Sequence, residues 1–288
     1  MEPVAPSEHD DRVLTYTRGL AVFITPFLLL AFAVLYPVPD DTARLFAWTI
    51  HPTMTPMVLA SAYLGGAYFF IRAAWAKRWN TLRIGFAAVT LFASLLGIAT
   101  IVHWDRFNHG HVAFWLWAGL YFVAPFLVLG AWLTNQRVSA KPTAQELRLG
   151  QVSRAVVGGV GLLALLQGLA MFVAPQQFIG IWPWTLTPLT CRVVAAVFCL
   201  GSAGIGVLVD PRWTSLRLML QVEVIMVVLI LVAAARAHSE FDTSRPLTWL
   251  LLLGFLGVLA GSTYLWLLYE RGGGSTTPKP ATASLSST

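Results

Sequence analysis

The chain contains few charged residues. Only 11% of its 288 residues are Asp, Glu, Lys or Arg, and 57% are hydrophobic, whereas charged residues make up about a quarter of a soluble globular domain. Together with a mean hydropathy of +0.70, this composition excludes an ordinary soluble domain. It indicates a polytopic membrane protein.

Cysteine is equally scarce. Cys191 and Cys199 are the only two, and their spacing on one predicted helix separates them by about 12 Å along its axis. That distance is too long for a disulfide bond. Because no CxxC motif is present either, we interpret both as small buried hydrophobic residues.

Catalytic motifs are absent from the sequence. It contains no GxSxG nucleophile elbow, no P-loop, no HExxH and no GxGxxG after a strand, so nothing in it predicts a particular enzyme. The net charge of +6 comes from Lys and Arg that never form a run. Membrane topology explains these cations better than nucleic acid, and we expect no nucleic-acid partner.

A series of apolar segments dominates the sequence. Each is about 20 residues long, the length that crosses a hydrocarbon core of about 30 Å, and within a bilayer each must be helical to satisfy its own backbone hydrogen bonds. The sequence therefore predicts an all-α integral membrane protein surrounded by the lipid bilayer. The eight predicted spans are 19–37, 52–73, 82–103, 111–134, 154–175, 188–209, 215–236 and 247–269.

The cations are concentrated on one side of the predicted arrangement. With the N-terminus inside, the outer side carries only five of the 19 Lys and Arg: Arg44, Arg106, Arg192, Arg236 and Arg245. The positive-inside rule and the even number of spans then place both termini in the cytoplasm. We expect a multi-pass protein of the plasma membrane.

Tryptophan and phenylalanine markers recur along the chain. The matched residues are Trp48 and Trp184 at an offset of 136, and Trp79 and Trp213, Phe107 and Phe241, and Trp115 and Trp249 at an offset of 134. Because tryptophan is rare, three tryptophan pairs in step predict an internal tandem repeat. The change of offset falls between the second and third spans, where we expect the first copy to have the longer loop.

The repeat predicts two four-helix membrane units, at 19–134 and 154–269. Since each unit has an even number of spans, the two insert in the same orientation and are related by a pseudo-two-fold axis along the membrane normal. The remaining segments are a cytoplasmic tail at 1–18, a cytoplasmic linker at 135–153 and a disordered cytoplasmic tail at 270–288.

Histidines cluster on the predicted outer face. His51, His103, His109 and His111 lie at the outer ends of the first four spans, and neutral imidazole is a common ligand of transition metals and haem iron. One hypothesis is therefore a metal or haem site formed by these four residues. The alternative is that they are solvated interface residues.

The layout of two four-helix halves with outer histidines resembles that of haem A synthase, which implies haem bound by histidine. The paired Glu-x-x-His motif of that family is missing from this sequence. Positions that match His51, His109 and His111 in the second copy hold Thr187, Thr243 and Arg245. The resemblance therefore covers layout alone, and the second half cannot form an equivalent site.

Glu223 is a candidate binding residue because it lies about 9 Å along the seventh span beyond Arg217. Ionisable groups at such depth generally face a protein interior or cavity and are functional hypotheses by default. Glu223 would then bind a proton or a cation. The alternatives are an ion pair with Arg72 or Arg217, or a protonated acid that is hydrogen-bonded to a neighbouring helix.

The other binding candidates lie on the outer face. Arg192, just inside the sixth span, could bind an anionic substrate or lipid headgroup, or it could extend to the interface. Asp105 and Arg106 of the repeated loop and the tryptophans Trp48 and Trp184 could contact a ligand. They could also serve only to anchor loops and helix ends at the membrane surface.

These features favour binding or transport of a small molecule, an ion or a lipid, at a site near the outer face between the two repeats. One alternative is a membrane redox or metal enzyme that uses the outer histidines. Another is a non-catalytic subunit or assembly factor that binds a membrane-protein partner.

Overall fold

The computed structural model describes residues 10–140 and 146–272, and it is 79% helical. Eight helices are long and apolar enough to cross a membrane, which confirms the predicted fold class and the number of spans. Parts of the predicted tails and linker, at 1–9, 141–145 and 273–288, lie outside the described residues.

The boundaries of the eight helices agree with the predicted spans to within a few residues. They are α1 Thr15–Leu35, α2 Met54–Trp75, α3 Arg83–Val102, α4 Val112–Gln136, α5 Gln151–Val173, α6 Pro188–Val209, α7 Trp213–Arg236 and α8 Pro246–Gly272.

α6 is interrupted near its middle, between Pro188–Cys199 and Ser202–Val209. The backbone N–H of Leu200 donates to the Val197 carbonyl at 3.1 Å, and that of Gly201 to the Phe198 carbonyl at 3.0 Å. These bonds between residues three apart tighten the helix over one turn.

The centre of the bundle consists of α2, α3, α6 and α7. α2 packs against α7 and α3 packs against α6, so the first four helices meet the last four here. On the outside, α1 packs on α2, α4 on α3, α5 on α6 and α8 on α7. The most apolar stretch of α2 is accordingly 78% buried and that of α8 only 11%.

Glycines allow α5 and α6 to approach closely. A Cβ atom added to Gly161 would lie 2.6 Å from the Gly201 carbonyl oxygen and 2.9 Å from the Gly204 Cα. Only a residue without a side chain fits there, as is common where membrane helices are in backbone contact.

The connecting segments form two faces of the bundle. We call the first the termini face, because both ends of the described chain lie on it, and the second the histidine face. The termini face consists of 10–14, 76–82, 137–140, 146–150 and 210–212, and the histidine face consists of 36–53, 103–111, 174–187 and 237–245.

A buried ion pair lies at the termini face. Asp210 and Arg212 are each 1% exposed, and two nitrogens of the guanidinium lie 2.7 and 2.6 Å from the two carboxylate oxygens. Arg83, at the start of α3, adds a second contact to Asp210 at 3.1 Å. Burial alone would raise the pKa of Asp210, but hydrogen bonds from Arg212 and Ser215 outweigh it and lower that pKa.

Further charged side chains extend this pair across the face. Glu146 of the linker lies 3.5 Å from Arg212 and 2.8 Å from Arg78, and Arg78 lies 3.2 Å from Asp11, which is 2% exposed. We call this set the ion network: Asp11, Arg78, Arg83, Glu146, Asp210 and Arg212. It connects the N-terminal segment, two loops and the linker, and it contains three acids and three arginines, so its charges balance.

Replacement of Gly161 by alanine should lower the apparent free energy of unfolding by about 1–3 kcal/mol, because backbone atoms of α6 must move to admit the methyl group. Unfolding can be followed by circular dichroism as SDS is titrated into mild-detergent micelles. Gly257 of α8 is the matched control, since an added Cβ meets nothing within 4 Å there. If Gly161→Ala is as stable as Gly257→Ala, the close contact between α5 and α6 does not exist.

Candidate functional site

A cavity of about 420 Å³ opens on the histidine face. It lies between segments of the two halves of the chain, and its volume is within the range of about 300–1,000 Å³ typical of small-molecule sites. Asp40, His51 and Thr185 at its rim are exposed to solvent. The lining residues are Asp40, His51, Pro52, Thr53, Thr185 and Glu240.

Short-range hydrogen bonds shape the loop that carries Asp40 and His51. The Ile50 N–H donates to the Thr42 hydroxyl at 2.9 Å, and that hydroxyl donates to the Ile50 carbonyl at 3.3 Å. Thr42 thereby holds the end of the loop against its beginning. Asp40 and His51, each next to this closure, are both placed at the rim of the cavity.

Glu240 connects the other side of the cavity to α2. One carboxylate oxygen accepts hydrogen bonds from the Thr53 backbone N–H at 2.8 Å and the Thr53 hydroxyl at 2.5 Å, and the other accepts from the Met54 N–H at 2.8 Å. Backbone N–H groups at a helix N-terminus lack partners within the helix and favour negative charge. Glu240 therefore caps α2, and its carboxylate is already hydrogen-bonded to Thr53 and Met54.

Of the two acids that line the cavity, Asp40 is the one whose carboxylate can still bind a ligand. No residue that the structure describes forms an ion pair with it, whereas the adjacent Asp41 pairs with Arg44, whose Nε lies 3.0 Å from the carboxylate. The cavity thus presents an exposed carboxylate and the exposed His51 imidazole close to the hydroxyl groups of two threonines. It can accept hydrogen bonds from a ligand and attract a positive charge.

The tryptophans predicted to bind a ligand are core residues. Trp48 and Trp184 are each 3% exposed, and their rings pack on Phe107 and Phe241 with centroids 5.0 and 5.3 Å apart. The Trp184 indole N–H also donates to the Thr55 hydroxyl at 3.0 Å. Neither tryptophan lines the cavity formed by the described residues, and both support the loops beneath it.

Arg192 of α6 contacts His103, at the end of α3, across the two halves of the chain. A guanidinium nitrogen lies 2.7 Å from His103 Nε2, and the same group lies 5.9 Å from the centre of the Phe172 ring. Because arginine only donates hydrogen bonds, Nε2 must accept and the imidazole is neutral. Burial and the nearby charge of Arg192 both lower the pKa of His103.

Asp105 and Arg106 form an exposed pair next to this contact. Arg106 Nε lies 3.1 Å from the Asp105 carboxylate, and the two side chains are 71% and 74% exposed. A pair so fully solvated contributes little to stability. Neither residue lines the cavity among the described parts of the chain.

The remaining histidines occupy separate settings. The His109 ring packs against Trp104 and Phe114, and His111 caps α4 by accepting from the Ala113 N–H at 3.2 Å. Within 10–140 and 146–272, no group of three or more His, Cys, Asp or Glu is arranged to hold a metal ion. The four histidines predicted to form one site therefore do not come together as the ligands of a single metal ion in this part of the chain.

Glu223 lies away from the cavity, within the membrane-spanning part of α7. Its carboxylate accepts a hydrogen bond from the Ser262 hydroxyl of α8 at 2.8 Å. Arg217, one of the partners considered from the sequence, instead pairs with Glu270 at 2.6 Å. Among the described residues Glu223 thus has a hydrogen bond to a neighbouring helix and no ion pair.

The cavity is lined by four residues that were not predicted from the sequence as site residues: Asp40, Thr53, Thr185 and Glu240. The signal that points to Glu240 is visible only in the structure, since the N-cap residue of α2, Thr53, is of a type that usually caps its own helix. Thr187 caps α6 with its own side chain, whereas α2 has no side-chain cap from its own N-cap residue. An uncapped helix start on the predicted outer face calls for an acidic side chain from elsewhere in the fold.

No family model, no curated protein and no solved structure matches the chain. The function must therefore be inferred from the geometry described above.

The contact between Arg192 and His103 should weaken at acidic pH. Because the pKa of His103 is lowered in the folded protein, the stability that this residue contributes is present above its ordinary pKa of about 6.5. That contribution is lost as the pH falls further, since the unfolded state then binds more protons. We expect the melting temperature in detergent to fall less between neutral and acidic pH in His103→Gln than in the wild type.

The matched control is His238→Gln, which changes an exposed histidine on the same face. This variant should keep the pH dependence of the wild type. An identical pH dependence in His103→Gln and the wild type would contradict the assignment.

Proposed function

We propose that the protein binds a small polar solute carrying a positive charge in the cavity of the histidine face, as a binding or transport protein of the plasma membrane. The observation that carries this proposal is the solvent-open cavity between the two halves, with the unpaired carboxylate of Asp40 at its rim. His51 and the threonine hydroxyls add hydrogen-bonding groups that would orient the solute.

The distribution of cations supports an outward-facing cavity. The segments of the histidine face contain no Lys and three Arg, namely Arg44, Arg106 and Arg245. Those of the termini face contain six cations: Arg12, Lys77, Arg78, Arg137, Arg148 and Arg212. By the positive-inside rule, the termini face would lie in the cytoplasm and the histidine face outside. The solute would then be met on the outer side of the membrane.

We also infer that the chain is a tandem duplication of a four-helix unit, at 19–134 and 154–269, because contacts recur at matching positions. The Trp115 indole donates to the His109 carbonyl at 3.0 Å, and the Trp249 indole to the Thr243 carbonyl at 3.1 Å. Further matched pairs are Trp48–Phe107 with Trp184–Phe241, Asn108–Ala47 with Asp242–Pro183, and Arg18–Ala74 with Arg154–Leu208.

On this inference, the two-residue change of offset falls within a helix and not in the loop. Gly65 and Gly201 still match at an offset of 136, whereas Ala74 and Leu208 already match at 134. The change thus lies in α2 and α6, close to the point at which α6 is interrupted. The tightened turn of α6 would let the second copy, which is two residues shorter here, keep the same face of the helix against α5.

The proposed site can be tested by screening purified protein in detergent for thermal stabilisation by amino acids, small amines and quaternary ammonium compounds. A ligand at about 100 times its Kd adds about 2.7 kcal/mol to stability, which raises the melting temperature measurably. Asp40→Asn should weaken binding of a stabilising compound by about tenfold or more, equivalent to about 1.4 kcal/mol.

The control is Asp41→Asn, which removes the adjacent acid that is already paired with Arg44 and should leave affinity unchanged. The proposal is wrong if no cationic compound stabilises the wild type. It is also wrong if Asp40→Asn and Asp41→Asn affect binding equally.

A further inference from the structure

Glu223 presents a carboxyl group inside the membrane-spanning part of α7. It lies about 15 Å along the helix from the first residue, Trp213, and about 20 Å from the last, Arg236. Its burial is intermediate, so the protein covers most of the residue and leaves a part of its surface exposed. It touches α8 through Ser262, which is 5% exposed and donates to Oε2 at 2.8 Å.

The same two helices contain a second acid in a contrasting environment. Near the termini face, Arg217 of α7 lies 2.6 Å from Glu270 of α8, and its guanidinium lies 5.2 Å from the centre of the Trp266 ring. Glu270 therefore has a cation as its partner, whereas Glu223 has only a hydroxyl group. The two acids therefore differ in whether a positively charged side chain neutralises the carboxylate.

Arginines that could reach Glu223 from the termini side are engaged elsewhere. Arg217 is bound to Glu270, and Arg72 of α2 donates to the Tyr68 hydroxyl at 3.3 Å. Within the part of the chain that the structure describes, no Lys or Arg forms an ion pair with Glu223. An isolated carboxylate at this depth is costly, and binding of a proton removes that cost.

A metal cation fits the position less well than a proton. Ca²⁺ takes about six to eight oxygen ligands, and Mg²⁺ about six. At this point the contacts of the described residues supply one carboxylate and one serine hydroxyl. A proton needs no further ligand, because it bonds covalently to one carboxylate oxygen while the acid keeps its hydrogen bond to Ser262.

We propose that Glu223 and Ser262 form a proton-binding site within the membrane, at the contact between α7 and α8 and separate from the cavity of the histidine face. The site lies beside the outermost helix of the bundle, since only 11% of the most apolar stretch of α8 is buried. The exposed surface of α8 would be in contact with lipid, from which a small apolar reagent can approach the site.

Dicyclohexylcarbodiimide is a suitable probe, because it partitions into membranes and reacts with protonated carboxyl groups. The proton moves to one carbodiimide nitrogen while a carboxylate oxygen bonds to the central carbon. The acyl group then migrates to nitrogen and gives a stable N-acylurea. The overall reaction is an addition with no leaving group and no change of oxidation state, so the adduct is read directly as added mass.

The experiment treats the full-length protein in liposomes with this reagent and locates adducts by peptide mass spectrometry. We expect about tenfold more adduct on Glu223 than on Glu270, since Arg217 pairs with the second acid. Labelling of Glu223 should also fall as the pH is raised. Glu270→Gln should leave the labelling of Glu223 intact.

A second measurement uses infrared spectroscopy. The C=O band of a protonated carboxylic acid should be present in the wild type and lost in Glu223→Gln, a variant whose amide can still accept from Ser262. No preferential adduct on Glu223, or no loss of the band, would overturn the proposal. Protection of Glu223 by Na⁺, K⁺ or Ca²⁺ at constant ionic strength would also overturn it, because it would identify a cation site.

Discussion

A buried ion network at the termini face ties the two halves of the chain together. Asp210 and Arg212 are nearly inaccessible to solvent, and Arg83 reaches Asp210 from the other half of the chain. Loss of one partner from such a network leaves an uncompensated buried charge, which typically costs about 3–5 kcal/mol. The arrangement of three acids with three arginines therefore tolerates little displacement between the halves.

The relative placement of the halves determines what the opposite face contains. Glu240 can cap α2 only if the loop after α7 lies beside the start of α2, and Arg192 can reach His103 only if α6 lies beside the end of α3. The cavity lies between loops that these contacts hold together. The aromatic contacts of Trp48 with Phe107 and of Trp184 with Phe241 support the loops from below.

The eight helices could be predicted from the sequence because apolar length is a local property that each segment carries by itself. The lining of the cavity could not, because Asp40, Thr53 and Glu240 meet only through the packing of distant segments. Tryptophan is typical of residues that anchor a protein at the membrane interface, yet the short loops fold over Trp48 and Trp184 and bury them. Loop charges such as Asp210 resemble solvated residues until their partners are known.

The most direct test of this account is a double-mutant cycle on the contact between Arg83 and Asp210. The apparent free energy of unfolding in mixed detergent micelles is measured for the wild type, Arg83→Gln, Asp210→Asn and the double variant. If the ion network couples the two halves, the two losses should be non-additive, with an interaction energy on the order of 1–3 kcal/mol. Strict additivity of the two substitutions would contradict the account.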